Sequence, residues 1–439
     1  MTEARIQRTI EAVWRMESAR IIARLTRMLR QVGLAEELAQ DALVSALEQW
    51  PRMGVPDNPG AWLMTAASNR ALDELRHRKL VERNSEAIAH ESPLGLVPFA
   101  APDTAADDDI GDDVLRLMFI ACHPLLPAEA RTALTLRMLA GLSTAQIARA
   151  FLVPESTIGQ RIVRAKRTLT EAHVAFEVPR DTERAARLAS VLEGIYLVFN
   201  EGYAATNGED WMRPALCEEA LRLGRILAQL LPQESEVHGL VALMEIQSSR
   251  LGARTNANGE PILLMDQNRG RWNQLLIRRG LAALQQAEEL GATSGPYTLQ
   301  AALAACHARA AKAEDTDWAR IVALYDALVQ LQPSPIIELN RAVAVGMAYG
   351  PAAALELVDS IATAGRLAGY HLLASVRGDL LEKLGRFSEA RVEFARAAGL
   401  TRNSREQTLL LGRAAACGSS VHSIVQEAPA ASRGGRLKD

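Results

Sequence analysis

Two short stretches carry polar side chains at spacings suited to reading a nucleic acid. In one, Thr157, Gln160, Arg161, Arg164 and Arg167 fall on one side of a helical repeat, with Ser156 beside them. Ile158, Ile162, Ala165 and Leu169 fall on the other side. Short polar groups near a helix start reach base edges in a major groove, and arginines bind phosphates or a guanine edge. In the other stretch Asn69, Asp73 and Arg76 share a helix face at i, i+4 and i+7, flanked by Arg70, Arg78 and Lys79. The plain alternative for either set is a solvated basic face. Nothing signals covalent catalysis: there is no Gly-rich phosphate loop, no Gly-x-Ser-x-Gly and no ligand-spaced His set. Cys122-His123 and Cys306-His307 invite a metal reading, but adjacent helical side chains point about 100° apart and do not converge. Neither an enzyme nor a cofactor is expected.

The first set needs a helix-turn-helix to present it. Ser143-Thr144-Ala145-Gln146 is a capping box that starts a helix, with Ile147, Ala150 and Phe151 on one face. Val153-Pro154-Glu155 breaks the chain, and a second helix is expected over about 155–172, buried along Ile158, Ile162, Ala165 and Leu169. A preceding helix opens at Pro127 and turns Ala130, Ala133 and Leu134 inward. Cap, turn and polarity agree on the pattern.

The whole chain is helical in character. Its 439 residues are rich in Ala, Leu and Arg, and only 4% are aromatic. The formal net charge of −3 excludes a uniformly basic coat and leaves local patches open. The cysteines Cys122, Cys217, Cys306 and Cys417 are scattered, which fits reduced thiols. No run approaches the ~18 apolar residues of a membrane span, so a cytoplasmic protein is expected. Residues 1–84 are locally basic. Residues 85–113 hold eight Asp or Glu and no Lys or Arg, and read as an acidic linker. Helical periodicity returns from 114, breaks near 173–185 at Pro179, and continues over 185–415. Residues 416–439 read as a disordered tail.

Residues 134–167, with Ser156-Thr157-Ile158 through Arg161, Arg164, Ala165 and Lys166, resemble region four of the extracytoplasmic-function sigma factors. The stretch Ala35-Glu36-Glu37-Leu38-Ala39-Gln40-Asp41, followed by Trp62-Leu63, Asn69, Asp73 and Arg76, resembles their region two. A stand-alone DNA-binding regulator would have the helix-turn-helix but not this second signature. The resemblance implies that region two (1–84) reads the minus-ten element with Asn69, Arg70, Asp73, Arg76, Arg78 and Lys79. The loop Pro51–Gly60 would then capture a flipped base. It implies that region four (114–175) reads the minus-thirty-five element with Ser156, Thr157, Gln160, Arg161, Arg164 and Arg167. Glu36, Glu37, Gln40 and Asp41 would dock on the clamp of core RNA polymerase, and the acidic linker would thread its basic RNA path. Trp62 has two readings, core packing or contact with the melted strand.

Behind these regions, Leu384-Gly385-Arg386-Phe387-Ser388-Glu389-Ala390 resembles the junction of a tetratricopeptide repeat. Similar helix pairs are expected around Leu221–Leu243 and Tyr325–Val345. The blocks Val198-Phe199-Asn200-Glu201-Gly202-Tyr203, Thr316-Asp317-Trp318 and Leu339-Asn340-Arg341 resemble the sigma subgroup with a tetratricopeptide-like extension. The fold class expected is therefore all-α: two small helical sigma domains joined by an acidic linker, then a helical solenoid that binds a peptide or protein regulator. Asp266, Asn268, Arg269 and Trp272 form a polar cluster that could line a regulatory groove or an internal seam.

Overall fold

In the computed structural model the described residues are 3–87, 107–205, 212–291 and 295–427. Among them every regular element is a helix, apart from an isolated bridge between Thr255 and Pro261. The chain divides into two compact units. One comprises Met1–Asn200 and Ala215–Pro232, the other Glu201–Pro214 and Gln233–Asp439.

The first unit begins with α1 (Glu3–Leu29), α2 (Val32–Met53) and α3 (Pro59–Ala87), which pack on one another. Helix α1 buries Ile10, Trp14, Ile21, Ile22 and Leu25. Helix α2 answers with Ala35, Ala39, Ala42 and Ala46, fully buried at i, i+4, i+7 and i+11. A stripe that small lets helix axes approach closely. Helix α2 runs through Pro51 and stops at Gly54, whose φ is +88°, so the loop before α3 is shorter than the expected Pro51–Gly60. Pro51 has no N–H to donate, so α2 gives up one i→i−4 bond shortly before it ends.

Next come α4 (Asp107–Ala121), α5 (Ala128–Met138), α6 (Thr144–Phe151) and α7 (Glu155–Glu171). Helix α4 corrects the linker boundary. The acidic run Asp107–Asp113 is its first two turns, and residues 88–106 lie outside the described residues. Acidic residues at a helix N-terminus favour its dipole. Asp113 is only 1% exposed and meets Arg116 at 2.6 Å and Arg27 of α1 at 3.3 Å. After α7 the chain turns at His173, φ +49°, and α8 (Asp181–Tyr203) begins beyond it.

Helix α8 and α9 (Pro214–Leu230) move the other boundary. Both lie almost wholly in the stretch expected to form the C-terminal array, yet most of α8 and nearly all of α9 belong to the first unit. Arg131 of α5 reaches Ser190 at 2.7 Å and Glu193 at 2.8 Å, Ser190 donates to Cys122 O, and Arg222 donates to Leu139 O at 2.8 Å. The expected pair at Leu221–Leu243 is therefore divided between units.

The second unit is built on α10 (Ser235–Ser248), α11 (Gln274–Glu289) and α12 (Pro296–Arg309). Helix α10 is buried almost all round, the mark of a central helix. Gly239 makes this possible, since a Cβ there would sit 2.7 Å from the backbone N of Thr298. Glu236 caps α12 from outside it, accepting from Tyr297 N at 2.8 Å and Thr298 N at 3.1 Å. Then follow α13 (Trp318–Leu331), α14 (Pro335–Tyr349), α15 (Pro351–Thr363), α16 (His371–Lys383), α17 (Phe387–Leu400) and α18 (Ser404–Glu427). From α12 onward each helix packs on the next, which is the quasi-one-dimensional order of a solenoid. The Leu384–Ala390 junction behaves as expected: Gly385 takes φ +73° between α16 and α17, and Phe394 is fully buried behind it. Helix α18 continues to Glu427, so the first part of the expected disordered tail is helical; residues 428–439 lie outside the described residues. All four cysteines are buried thiols.

Candidate nucleic-acid interface

The helix-turn-helix forms as its sequence dictates. Gln146 N donates to Ser143 Oγ at 3.1 Å, and Ser143 N donates to Gln146 Oε1 at 2.8 Å, completing the capping box. Leu152 ends α6 in the left-handed region, φ +51°, and Pro154 precedes the first turn of α7. Ile158, Ile162, Ala165 and Leu169 are all buried. In α6 the buried pair is Ile147 and Ala148, while Ala150 and Phe151 are only half-buried.

This seating fixes which side chains of α7 face outward. Ser156, Gln160, Arg164 and Arg167 are exposed; Thr157 and Arg161 are half-buried on the flank. Arg167 is held by Glu171 at 2.7 Å, which raises its pKa through the hydrogen bond and the neighbouring charge. One outward residue was missed: Val163 is 64% exposed between Gln160 and Arg167. The helical period places it on the polar face, but an apolar side chain there carries no polar signal. Lys166 turns the other way and bonds Glu36 of α2.

On α3, Asn58 caps the helix by accepting from Ala61 N at 3.0 Å. Asn69, Asp73, Arg76 and Lys79 are exposed. Arg76 and Asp73 pair at 2.9 Å, and Arg78 pairs with Glu74 at 2.9 Å and donates to Gln31 at 3.2 Å. Arg70 differs from its expected role. It donates to Ala66 O at 3.1 Å and to Ser45 Oγ at 2.5 Å, tying α3 to α2. Trp62 stands edge-on to the buried Trp50, ring centroids 5.5 Å apart, which is the packing reading.

The four residues expected to dock on polymerase separate. Glu37 and Asp41 are exposed. Gln40 is half-buried and lines a cleft of about 320 Å³ with Ile10, Trp14, Leu43, Val44 and Leu47. Glu36 is 3% exposed and spends its carboxylate on Arg137, at 2.8 Å, and on Lys166.

In the second unit the polar cluster is chiefly a seam. Arg269 donates to His307 O and Ala310 O, both at 2.7 Å, and to Thr316 Oγ1 at 3.0 Å. Its guanidinium lies 5.1 Å from the ring of Trp272, which is buried, and Arg250 lies 5.5 Å from the same ring. Burial and these two cations push His307 down to about 4. Asn268 is spent on its own turn, accepting from Gly270 N at 2.9 Å, and Asp266 is exposed. Cys122 contacts Thr135 at 3.3 Å, whereas His123 Nδ1 accepts from Leu125 N at 3.2 Å.

Among the described residues no helix is long and apolar enough to cross a membrane. Residues 14–81 match the family Sigma-70 region 2, residues 116–169 match Sigma-70 region 4, and residues 187–288 match a family of unknown function, DUF6596. An uncharacterized protein of Rhizobium meliloti (strain 1021) is 46% identical over 385 residues, 87% of this chain and 89% of that protein. The ECF RNA polymerase sigma factor SigK of Mycolicibacterium vanbaalenii is 32% identical over 149 residues, 33% of this chain and 71% of its own. Among solved structures, yeast Tom70 aligns over 93% of this chain and 84% of its own at a TM-score of 0.31 and 12% identity, too remote to bear on the fold. With both sigma regions matched in order and a curated ECF factor similar across most of its length, the chain belongs to the extracytoplasmic-function sigma factors of the sigma-70 family.

Proposed function

We propose that this sigma factor brings core RNA polymerase to specific promoters through two separate faces, and that its second unit regulates that activity. The observation that carries the reading is the outward face of α7. Gln160, Arg164 and Arg167 stand exposed over a fully buried apolar stripe, in a helix fixed by a complete capping box. Ser156, Thr157 and Gln160 reach base edges of the minus-thirty-five element, Arg161 and Arg164 bind phosphates or guanine, and Val163 meets a thymine methyl group. Asn69, Asp73, Arg76 and Lys79 of α3 face the minus-ten element. Arg78 joins them by releasing Glu74, and Arg70 acts from behind by holding α3 on α2. Glu37, Gln40 and Asp41 offer the polymerase-docking face. The protein works in the cytoplasm, without a cofactor, and the α12–α18 array takes a peptide or protein regulator. Asp266 and Asn268, at the rim of the Arg269–Trp272 seam, are the members of that cluster open to such a partner.

Run-off transcription with core polymerase tests the central claim. The expected result is a promoter-specific transcript that core enzyme alone does not make. Absence of any such transcript from cognate upstream sequences would overturn it.

A further inference from the structure

The seam around Trp272 carries more polar groups than it uses. Arg250, just past α10, and Arg269, in the turn before Trp272, stand 5.5 Å and 5.1 Å from the same indole ring. Trp272 is 3% exposed, and its buried Nε1 meets no acceptor among the described residues. The Nε atoms of both arginines and Nδ1 of His307 are likewise buried without a partner. His307, near the end of α12, stands edge-on to Trp318, ring centroids 5.3 Å apart.

The charge is as unbalanced as the hydrogen bonding. Arg269 donates only to neutral oxygens, and among the described residues no carboxylate pairs with either guanidinium. Glu314 and Asp315, both exposed, act on Arg269 only at a distance. Both arginines keep their charge at any working pH. The face of Trp272 attracts each cation but neutralises neither. Partly buried like charges and unused buried donors both cost stability, so a seam that served packing alone would have neither. The same set suits an oxyanion, because guanidinium N–H groups match phosphate and carboxylate oxygens in number and direction. Arg250, Arg269 and His307 are half-buried, so their outer atoms reach solvent and give a ligand access. The unused donors lie within the seam, out of reach of a folded partner, so the ligand is small.

We propose that this cluster binds a small oxyanion, the phosphate or carboxylate group of a metabolite-sized molecule, through Arg250, Arg269 and the Trp272 N–H. His307 is neutral beside the two cations, and in its Nδ1–H tautomer it supplies a further donor. Binding ties the end of α10, the Arg269 turn and α12 together. Helix α12 is the first of the α12–α18 array, so the ligand stiffens the array at its root. That consequence rests on the regulatory reading of the second unit; the binding itself does not.

The test is a pair of titrations of the full chain, followed by urea unfolding and by histidine NMR. Inorganic phosphate is added in one and succinate in the other, each against chloride at matched ionic strength, up to about 0.1 M. The two arms distinguish a phosphate ligand from a carboxylate one. At least one anion should raise the urea midpoint of the second unit above the chloride control, as any ligand of the folded state must. It should also move the His307 titration up from about 4, because it offsets the two guanidinium charges. Arg250→Gln should weaken that anion's binding by about tenfold or more. Without added anion it should itself raise the His307 titration, since one neighbouring cation is gone; a purely structural arginine would leave the response to anions intact. Trp272→Phe keeps an aromatic ring and removes the N–H, and should weaken binding by less, which keeps the test sound if Arg250→Gln misfolds. Phosphate and succinate both matching chloride in the wild type would overturn the site. So would folded Arg250→Gln and Trp272→Phe proteins that respond to the anions as the wild type does. A chain that binds the anion yet directs no promoter-specific transcript would refute the promoter reading and support the site.

Discussion

Replacing Arg164 with alanine should weaken promoter binding in a way that depends on salt. Arg164 is exposed on α7 above the buried Ile162 and Ala165, so its removal leaves the helix seated. Each phosphate contact contributes about 0.9 to the slope of log affinity against log salt. Losing one contact should flatten the slope by that amount. The affinity lost would then be about 3.5-fold greater near 0.05 M than near 0.2 M salt. If Arg164 grips a guanine instead, the cost should be about 1–3 kcal/mol and confined to promoters with that base. Arg167→Ala should flatten the slope less, because Arg167 must first give up Glu171. Fluorescence anisotropy of the holoenzyme on labelled promoter duplex, repeated across salt, separates these outcomes. A slope and affinity unchanged in Arg164→Ala and in Arg161→Ala would show that α7 does not face DNA.

Three further outcomes are expected. His307 is held near 4 against an ordinary value of 6.5, so between those values the unfolded chain binds the extra proton. Stability of the second unit should therefore drop as pH falls below about 6.5, by about 2 kcal/mol at pH 5, and His307→Asn should flatten the pH dependence of the urea midpoint. Phe394→Ala empties the fully buried centre between α16 and α17 and should cost about 3–5 kcal/mol in urea unfolding; a loss under 1 kcal/mol would contradict the packing. Deleting 233–439 should change transcriptional output while polymerase binding survives. A cut at 185, the boundary expected from sequence, should instead damage the first unit, because α8 and α9 support α5; circular dichroism melts of the two truncations compare them.

What was legible in the sequence is what neighbours in the chain decide. The capping box, the stripe from Ile158 to Leu169 and the turn at Gly385 each depend on residues within a few turns. Glu36 was expected on the polymerase-docking face because its partners, Arg137 and Lys166, lie 101 and 130 residues away. Arg70 looked like a phosphate contact for the same reason, its Ser45 partner being on another helix. The run Asp107–Asp113 read as linker by composition alone. The apolar residues just after it, Val114, Leu115, Leu117 and Met118, were the signal that it begins a buried helix. The division after Pro232 had a sign in the chain that went unused: α9 carries one apolar stripe, whereas α10 is buried almost all round, as a helix central to another unit would be.

The buried cysteines have a bearing on what the chain can sense. Burial pushes the Cys122 thiol up to about 11 and raises Cys306 and Cys417 as well. The thiolate is the reactive form, so the folded protein offers oxidants little to attack. Whatever stimulus sets its output, oxidation of these sulfurs is a poor route for it. The same protection makes the four thiols clocks for opening. Cys122 and Cys217 report on the first unit, Cys306 and Cys417 on the second, and the order in which a thiol reagent modifies them records which unit opens first.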